Sequence, residues 1–185
     1  MVIRCFFDCV WTGPEVEIDS NNDVTRLGDV KDQFGRIIFL LLDEIAPKTT
    51  ETFRTLCTGE RGLNYRGSMF HRIVPQYILR GGDIAHGNGT GQNSMYNQKL
   101  PDDQFCLQFN QPFLLCMDNT SPNTSQFIIT TTAASGLNNN HVVFGYIAYG
   151  DTDSTRVIRA IEACGCNSGN IKYSNIPTIT NCGQI

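Results

Sequence analysis

The residues most able to do chemistry lie in Phe70-His71-Arg72-Ile73-Val74-Pro75, which runs on to Gly81-Gly82-Asp83. Arg72 stands between residues that read as a strand, so its cation falls in or beside an apolar sheet face. Burying an unpaired charge is costly, and such a placement needs a reason. Taken alone, Arg72 reads as an arginine ion-paired at the sheet edge. Metal and cofactor chemistry are not expected. The eight cysteines include no CxxC pair and no Cys/His cluster at zinc spacing. Cys164-x-Cys166 is the one spacing with a redox reading; a loop holding two thiols is the simpler one.

The elements that must position Arg72 read as mostly β. Val2 to Val10 is rich in β-branched and aromatic residues and predicts a strand. Thr12 to Gln33 is polar, with Asp-Ser-Asn-Asn-Asp inside it. It reads as a long surface loop or a hairpin extension carrying short strands. Arg36 to Asp43 predicts a second strand, with an apolar run that suggests burial on both faces. Pro47 opens a helix in which Phe53, Leu56 and Cys57 fall on one face, and Gly59 stops it. Ser68 to Val74 and Ile78 to Gly81 read as strands broken at Pro75, and Asp83 to Ser94 as a Gly/Asn-rich loop. Phe113 to Met117, Gln126 to Thr131 and His141 to Tyr146 read as further strands. A second helix fits Ser154 to Ala163, with Val157, Ile158 and Ile161 buried. Thr178 to Thr180 makes a closing strand. Many short strands with two separate helices point to a β-barrel or sandwich with helical caps.

Composition narrows the function classes. A net charge of −4 with 41% hydrophobic residues suits a soluble globular chain and leaves no electrostatic footprint for nucleic acid or an anionic membrane. No apolar stretch approaches a membrane span. Met-Val-Ile-Arg-Cys-Phe-Phe-Asp has too short an apolar run for a secretion leader. A cytoplasmic chain with reduced thiols is expected. The Asn-x-Ser/Thr triplets at Asn88, Asn119 and Asn123 then read as chance matches. One domain over 1–185 is expected, with an insertion near 12–34.

Several segments act together with the Phe-His-Arg block. They are Asn88-Gly89-Thr90-Gly91, Pro122-Asn123-Thr124-Ser125-Gln126-Phe127, and Leu137 followed by His141-Val142-Val143-Phe144-Gly145. In identity, order and spacing this set resembles the cyclophilin family. The resemblance extends to Ala46-Pro47-Lys48-Thr49 with Phe53, to Cys57-Thr58-Gly59-Glu60, and to Asn181-Cys182-Gly183-Gln184. It covers nearly the whole chain outside roughly residues 12–34. It implies a closed eight-stranded antiparallel β-barrel capped by two α-helices, its lumen filled by side chains and its active surface on the outside. It also implies cis/trans isomerisation of Xaa-Pro bonds, with proline-containing peptides as partners. By resemblance, Arg72 is the catalytic guanidinium, Asn119 binds substrate backbone, Gln126 orients Arg72 and the peptide, and His141 lines the pocket. The pocket residues are Tyr77, Ile78, Ile128 and Leu137, with His141.

The sequence departs from the family pattern inside that pocket. Tyr77 stands where phenylalanine is usual, Ile78 for methionine, and Ile128 for a phenylalanine of the pocket floor. Gly136 stands where many members carry a tryptophan that contacts substrate and cyclosporin. Losing the indole removes a donor and much contact area, so weak cyclosporin binding is expected. Arg80 replaces a glutamine beside Arg72, and Asp118 an alanine. The two would either pair across the groove, relieving repulsion between Arg80 and Arg72, or both face water. The 12–34 insertion would serve as an oligomer contact or be a tolerated loop. Three functions fit: a prolyl isomerase with attenuated activity, which is favoured; a proline-peptide-binding module with little turnover; and an oligomerising structural protein.

Overall fold

The computed structural model describes residues 2–91, 107–118 and 125–185. Eight strands and two helices follow one another as β1 (Ile3–Ile18), β2 (Val24–Leu41), α1 (Pro47–Thr58), β3 (Arg72–Val74), β4 (Ile78–Gly81), β5 (Leu114–Asp118), β6 (Phe127–Thr130), β7 (His141–Tyr146), α2 (Thr152–Glu162) and β8 (Thr178–Gln184). The strands form one antiparallel sheet in the order β3-β4-β6-β5-β7-β2-β1-β8. The expected closed barrel needs correction, because no strand ladder joins β8 to β3. The two ends meet through a single bridge, Met69 with Thr178. The chain before β3 runs as turns, with Gly67 at φ 85°, and so offers β8 isolated hydrogen bonds rather than a strand.

The inner face of the sheet carries an aromatic core. Phe7, Phe39, Phe53, Tyr65 and Phe127 are fully buried, with Phe7 edge-on to Phe39 at 4.9 Å between ring centres. Such pairs add to burial a term of about 0.5–1.5 kcal/mol each. Helix α1 is threonine-rich, and Thr49, Thr50, Thr52 and Thr55 are buried with Phe53, Leu56 and Cys57. Threonine is a poor helix former, so packing on the core sustains this helix more than propensity does. Pro47 starts it and Gly59, at φ 72°, ends it. The expected burial of Arg36–Asp43 on both faces is corrected to one: Ile37, Phe39 and Leu41 are buried, while Ile38 and Leu40 are half-buried.

Residues 12–33 are not a loop. They continue β1 and β2 as one long hairpin whose strands pair from Ile3↔Leu41 out to Ile18↔Val24. Its polar look comes from an exposed surface laced with cross-strand ion pairs: Asp8–Arg36, Glu15–Lys31 and Glu17–Arg26. The opposite surface rests on α2. A side chain at Gly35 would sit 2.4 Å from Val157 Cγ2, and one at Gly13 2.6 Å from Cys164 Sγ. Both positions therefore need glycine for this approach. The tip turns at Asp19–Asp23, where the Asp19 carboxylate accepts from the Asn21 and Asp23 amides.

The tip docks on a buried ion pair. Arg159 and Glu162, 8% and 5% exposed, meet at 2.9 Å. Arg159 also donates to the Asn22 and Thr131 carbonyls at 2.9 and 3.1 Å and stacks on Phe113. Glu162 accepts from the Gln76 amide at 2.7 Å. Thr131 N–H in turn donates to the Tyr77 carbonyl at 3.0 Å. One ion pair thus ties α2 to the hairpin tip and to the turn at Pro75–Tyr77. Gln76 in that turn sits at φ 55°, an unfavourable conformation that the surroundings must enforce. Removing one partner of a buried pair strands the other charge, at a cost of about 3–5 kcal/mol. We expect Glu162→Ala to lose that much in urea unfolding, with Asp153→Ala, at an exposed pair on the same helix, within about 0.5 kcal/mol of the parent chain.

Candidate functional site

The outer face of the sheet carries a second apolar cluster. Ile78, Phe109, Leu114, Cys116, Ile128, Ala134, Leu137 and Val143 form it, with Val74, Tyr77 and Tyr146 at its margin. The register explains why these residues meet. Arg72 is opposite Arg80, Arg80 opposite Ile128, Ile128 opposite Cys116, and Cys116 opposite Val143. Paired residues share a face, so one row runs from two guanidiniums into an oily surface. Tyr77 and Ile78 join from the turn clamped by Glu162. Leu137 joins from a short 3-10 turn, Ser135–Leu137.

The structure brings Tyr77, Ile78, Ile128 and Leu137 into one apolar cluster and sets Arg72 and Arg80 in the cross-strand row that leads to Ile128. Ile78, Ile128 and Leu137 are buried and Tyr77 is half-buried. Arg72 is exposed, and its stem lies along Gly169, where a side chain would meet Arg72 Cγ at 2.9 Å. Among the described residues Arg72 has no ion-pair partner. Gly136 has nothing within 4 Å of where a side chain would start, so the position expected to lack an indole is open. His141 is half-buried at the start of β7, its backbone opposite Asp118. Asn119 lies outside the described residues, as does the side chain of Asp118, and with it the choice between an Arg80–Asp118 pair and two charges facing water.

Gln126 is held through both ends of its side-chain amide. Its amide oxygen accepts from Arg80 Nε at 3.0 Å, and its amide nitrogen donates to the Gly89 and Gly91 carbonyls at 3.0 and 3.1 Å. Gln126 is 4% exposed. The bond to Arg80 runs to the cross-strand neighbour of Arg72. The physical reason is the Gln-to-Arg exchange at position 80, which puts a strong donor within reach of the amide oxygen.

The loop that fixes Gln126 is itself organised by Asp83, 2% exposed. One carboxylate oxygen accepts from the Ala85 and His86 amides, the other from those of Asn88, Gly89 and Gly91, at 2.7 to 3.1 Å. Burial raises the Asp83 carboxyl, but these backbone donors outweigh it and hold it well below the ordinary carboxylate range. His71 lies under the loop, and a side chain at Gly89 would strike its ring. Burial, and then the Arg80 charge, lower the His71 pKa, which favours a neutral ring. Sequence reading missed these two roles. An aspartate followed by a Gly/Asn-rich run was the available signal for the first. The Cys164-x-Cys166 pair is split: Cys164 is buried with its thiol toward the Thr12 and Ala160 carbonyls, while half-exposed Cys166 contacts Ser168 Oγ at 3.0 Å.

A carboxyl lowered by folding stabilises the protein above its unfolded value, near 3.9, and that contribution fades as pH falls through the lower folded value. We expect Asp83→Ala to cost about 2–3 kcal/mol at pH 7. The gap from the parent chain should shrink as urea unfolding is repeated at acid pH. A gap independent of pH would remove the carboxylate's role.

The arrangement sets guanidinium donors beside an apolar cluster in which Ile78, Ile128 and Leu137 are buried and Tyr77 is half-buried at the margin. The model for the family described as cyclophilin type peptidyl-prolyl cis-trans isomerase/CLD matches residues 28–184. With eight antiparallel strands, two helices and this outer surface, the chain belongs to the cyclophilin-type peptidyl-prolyl cis-trans isomerase family.

Proposed function

We propose that the chain binds Xaa-Pro segments across the Arg72–Arg80–Ile128 row and isomerises the prolyl bond with attenuated turnover. The observation that carries this reading is Arg72 itself: an exposed guanidinium without an ion-pair partner among the described residues, at the border of a buried apolar cluster. Amide resonance opposes rotation with a barrier of about 18–20 kcal/mol, and the uncatalysed prolyl reaction takes tens of seconds or more. In the twisted state the prolyl nitrogen recovers its lone pair and becomes an acceptor. A guanidinium N–H donating to it forms a bond that neither planar state can form, which lowers the barrier rather than both wells. Arg72 has that role here. Tyr77, Ile78, Ile128 and Leu137 take the ring, His141 lines the pocket, and Asn119 binds the peptide backbone. No metal or cofactor enters the reaction.

Attenuation follows from position 80. Arg72 and Arg80 are cross-strand neighbours, whose Cα atoms lie roughly 5 Å apart in such a ladder. Two like charges there repel, and Gln126 is committed to Arg80. A pairing of Arg80 with Asp118 would offset the repulsion. The same Gln126–Arg80 bond favours a second reading, a proline-peptide-binding module with little turnover. A cytoplasmic setting suits the described cysteines, which are free thiols; no helix among the described residues is long and apolar enough to cross a membrane.

The test is exchange at a Xaa-Pro peptide bond followed by NMR. We expect measurable turnover that Arg72→Ala reduces by about a hundredfold, a loss of roughly 2.7 kcal/mol. Arg80→Gln, which releases Gln126, should raise it several-fold. Peptide shifts without catalysis in all three chains would establish the binding module instead. By calorimetry, cyclosporin should bind weakly, because Gly136 contributes no contact; sub-micromolar affinity would contradict the pocket as drawn.

A further inference from the structure

The hairpin leaves one long strand edge without a neighbour. β2 pairs with β1 along its length but with β7 only at Leu40 and Leu41. At Ile38 the edge is covered, since its N–H donates to Ser154 Oγ at 2.9 Å. From Val30 to Arg36, no strand lies beside it among the described residues. Backbone groups alternate between the two edges of a strand. The Ile38 N–H points away from β1, so those of Arg36, Phe34 and Asp32 do too. The register with β1 is unbroken from Arg36↔Asp8 to Val30↔Pro14, and a bulge follows beyond Pro14. The open edge is therefore bounded by a bulge at one end and by Ser154 at the other.

The side chains on this edge complement themselves. Val30, Asp32, Phe34 and Arg36 share one face, opposite to the face on which Gly35 meets Val157. Phe34 is 74% exposed and Val30 53%. Arg36 is held in place by two bonds to Asp8, at 2.7 and 2.9 Å, and by the Phe6 ring beneath it. Asp32 accepts from Thr12 Oγ1. Consider a second copy running antiparallel, with the two-fold axis at Phe34. Phe34 then meets its own counterpart, Asp32 meets Arg36 on both sides, and Gln33 meets Gly35. Each even-numbered pair in this register exchanges backbone bonds. Moving the axis two residues along sets Asp32 against Asp32 in one direction and Arg36 against Arg36 in the other. Like charges directly opposite are destabilising, and aromatic and opposite-charge pairs are stabilising.

We propose that this chain forms a two-fold dimer by antiparallel pairing of β2 edges over Asp32–Arg36, centred on Phe34. The ladder is short, so the dimer is reversible and depends on concentration. The prolyl site is not part of it, and the inference stands apart from the proposed reaction.

Sedimentation equilibrium tests it. The parent chain should rise from 20.6 kDa toward twice that mass as concentration increases to the millimolar range. Phe34→Lys sets two cations on the axis and should weaken association by roughly tenfold or more. Asp32→Arg and Arg36→Asp should each fail to self-associate, yet form a heterodimer when mixed, because both cross-strand pairs become complementary again. That rescue also shows both variants to be folded. A parent chain that stays monomeric at millimolar concentration overturns the proposal. So does a Phe34→Lys chain that associates like the parent, or a mixture of the two charge variants that remains monomeric.

Discussion

A single side-chain amide governs the electrostatics at the border of the apolar surface. The Gln126 amide oxygen accepts from Arg80. The amide nitrogen is committed to two backbone carbonyls, so the amide cannot turn to serve another donor without losing both. Those carbonyls stay in place because one buried carboxylate gathers five amides of the same loop. The order of dependence runs from Asp83 to the loop, from the loop to Gln126, and from Gln126 to which guanidinium is fixed. Arg72 is exposed, its stem braced by the Gly169 turn.

The apolar side of the site depends on a different buried charge. Glu162 holds the amide of a strained turn, and that turn delivers Tyr77 and Ile78 to the surface. Because Arg159 also grips the hairpin tip through Asn22, the long β1–β2 ribbon is linked to the pocket through α2. Glycines at 13 and 35 let the ribbon lie close enough for that contact. The two halves of the site, charged and oily, are thus positioned by separate networks that meet along β4, which carries both Ile78 and Arg80.

Much of this could be read from the residues. Strand alternation and the ordered motifs both mark Arg72, Ile78 and Ile128, while Leu137, on a 3-10 turn, is marked by the motifs alone. The strands of the sheet and both helices were legible for the same reason. Other features were legible in part or not at all. The ribbon at 12–33 was legible only as a loop or a hairpin extension, because an exposed, ion-paired face looks like a loop to any pattern built on hydrophobic alternation; the structure takes the second alternative. Closure of the barrel was overstated because the resemblance carries a topology, while the turn at Gly67 supplies one bridge instead of a strand. The partner of Gln126 was missed because an amide has no charge to mark its preference; only the geometry around Arg80 reveals it. Arg159 and Glu162 were hidden by a helical pattern that marks apolar residues as core and says nothing of a paired charge.

The role of the amide can be isolated by a double-mutant cycle on isomerisation rate, with Gln126→Ala made in the parent chain and again in the Arg80→Gln background. If Gln126 is held by Arg80 and released by its removal, the alanine change should matter little in the parent and cost about tenfold or more in Arg80→Gln, a coupling of at least about 1.4 kcal/mol. Equal losses in the two backgrounds would mean that Gln126 already serves Arg72 in the parent, and that the exchange at position 80 does not set its activity.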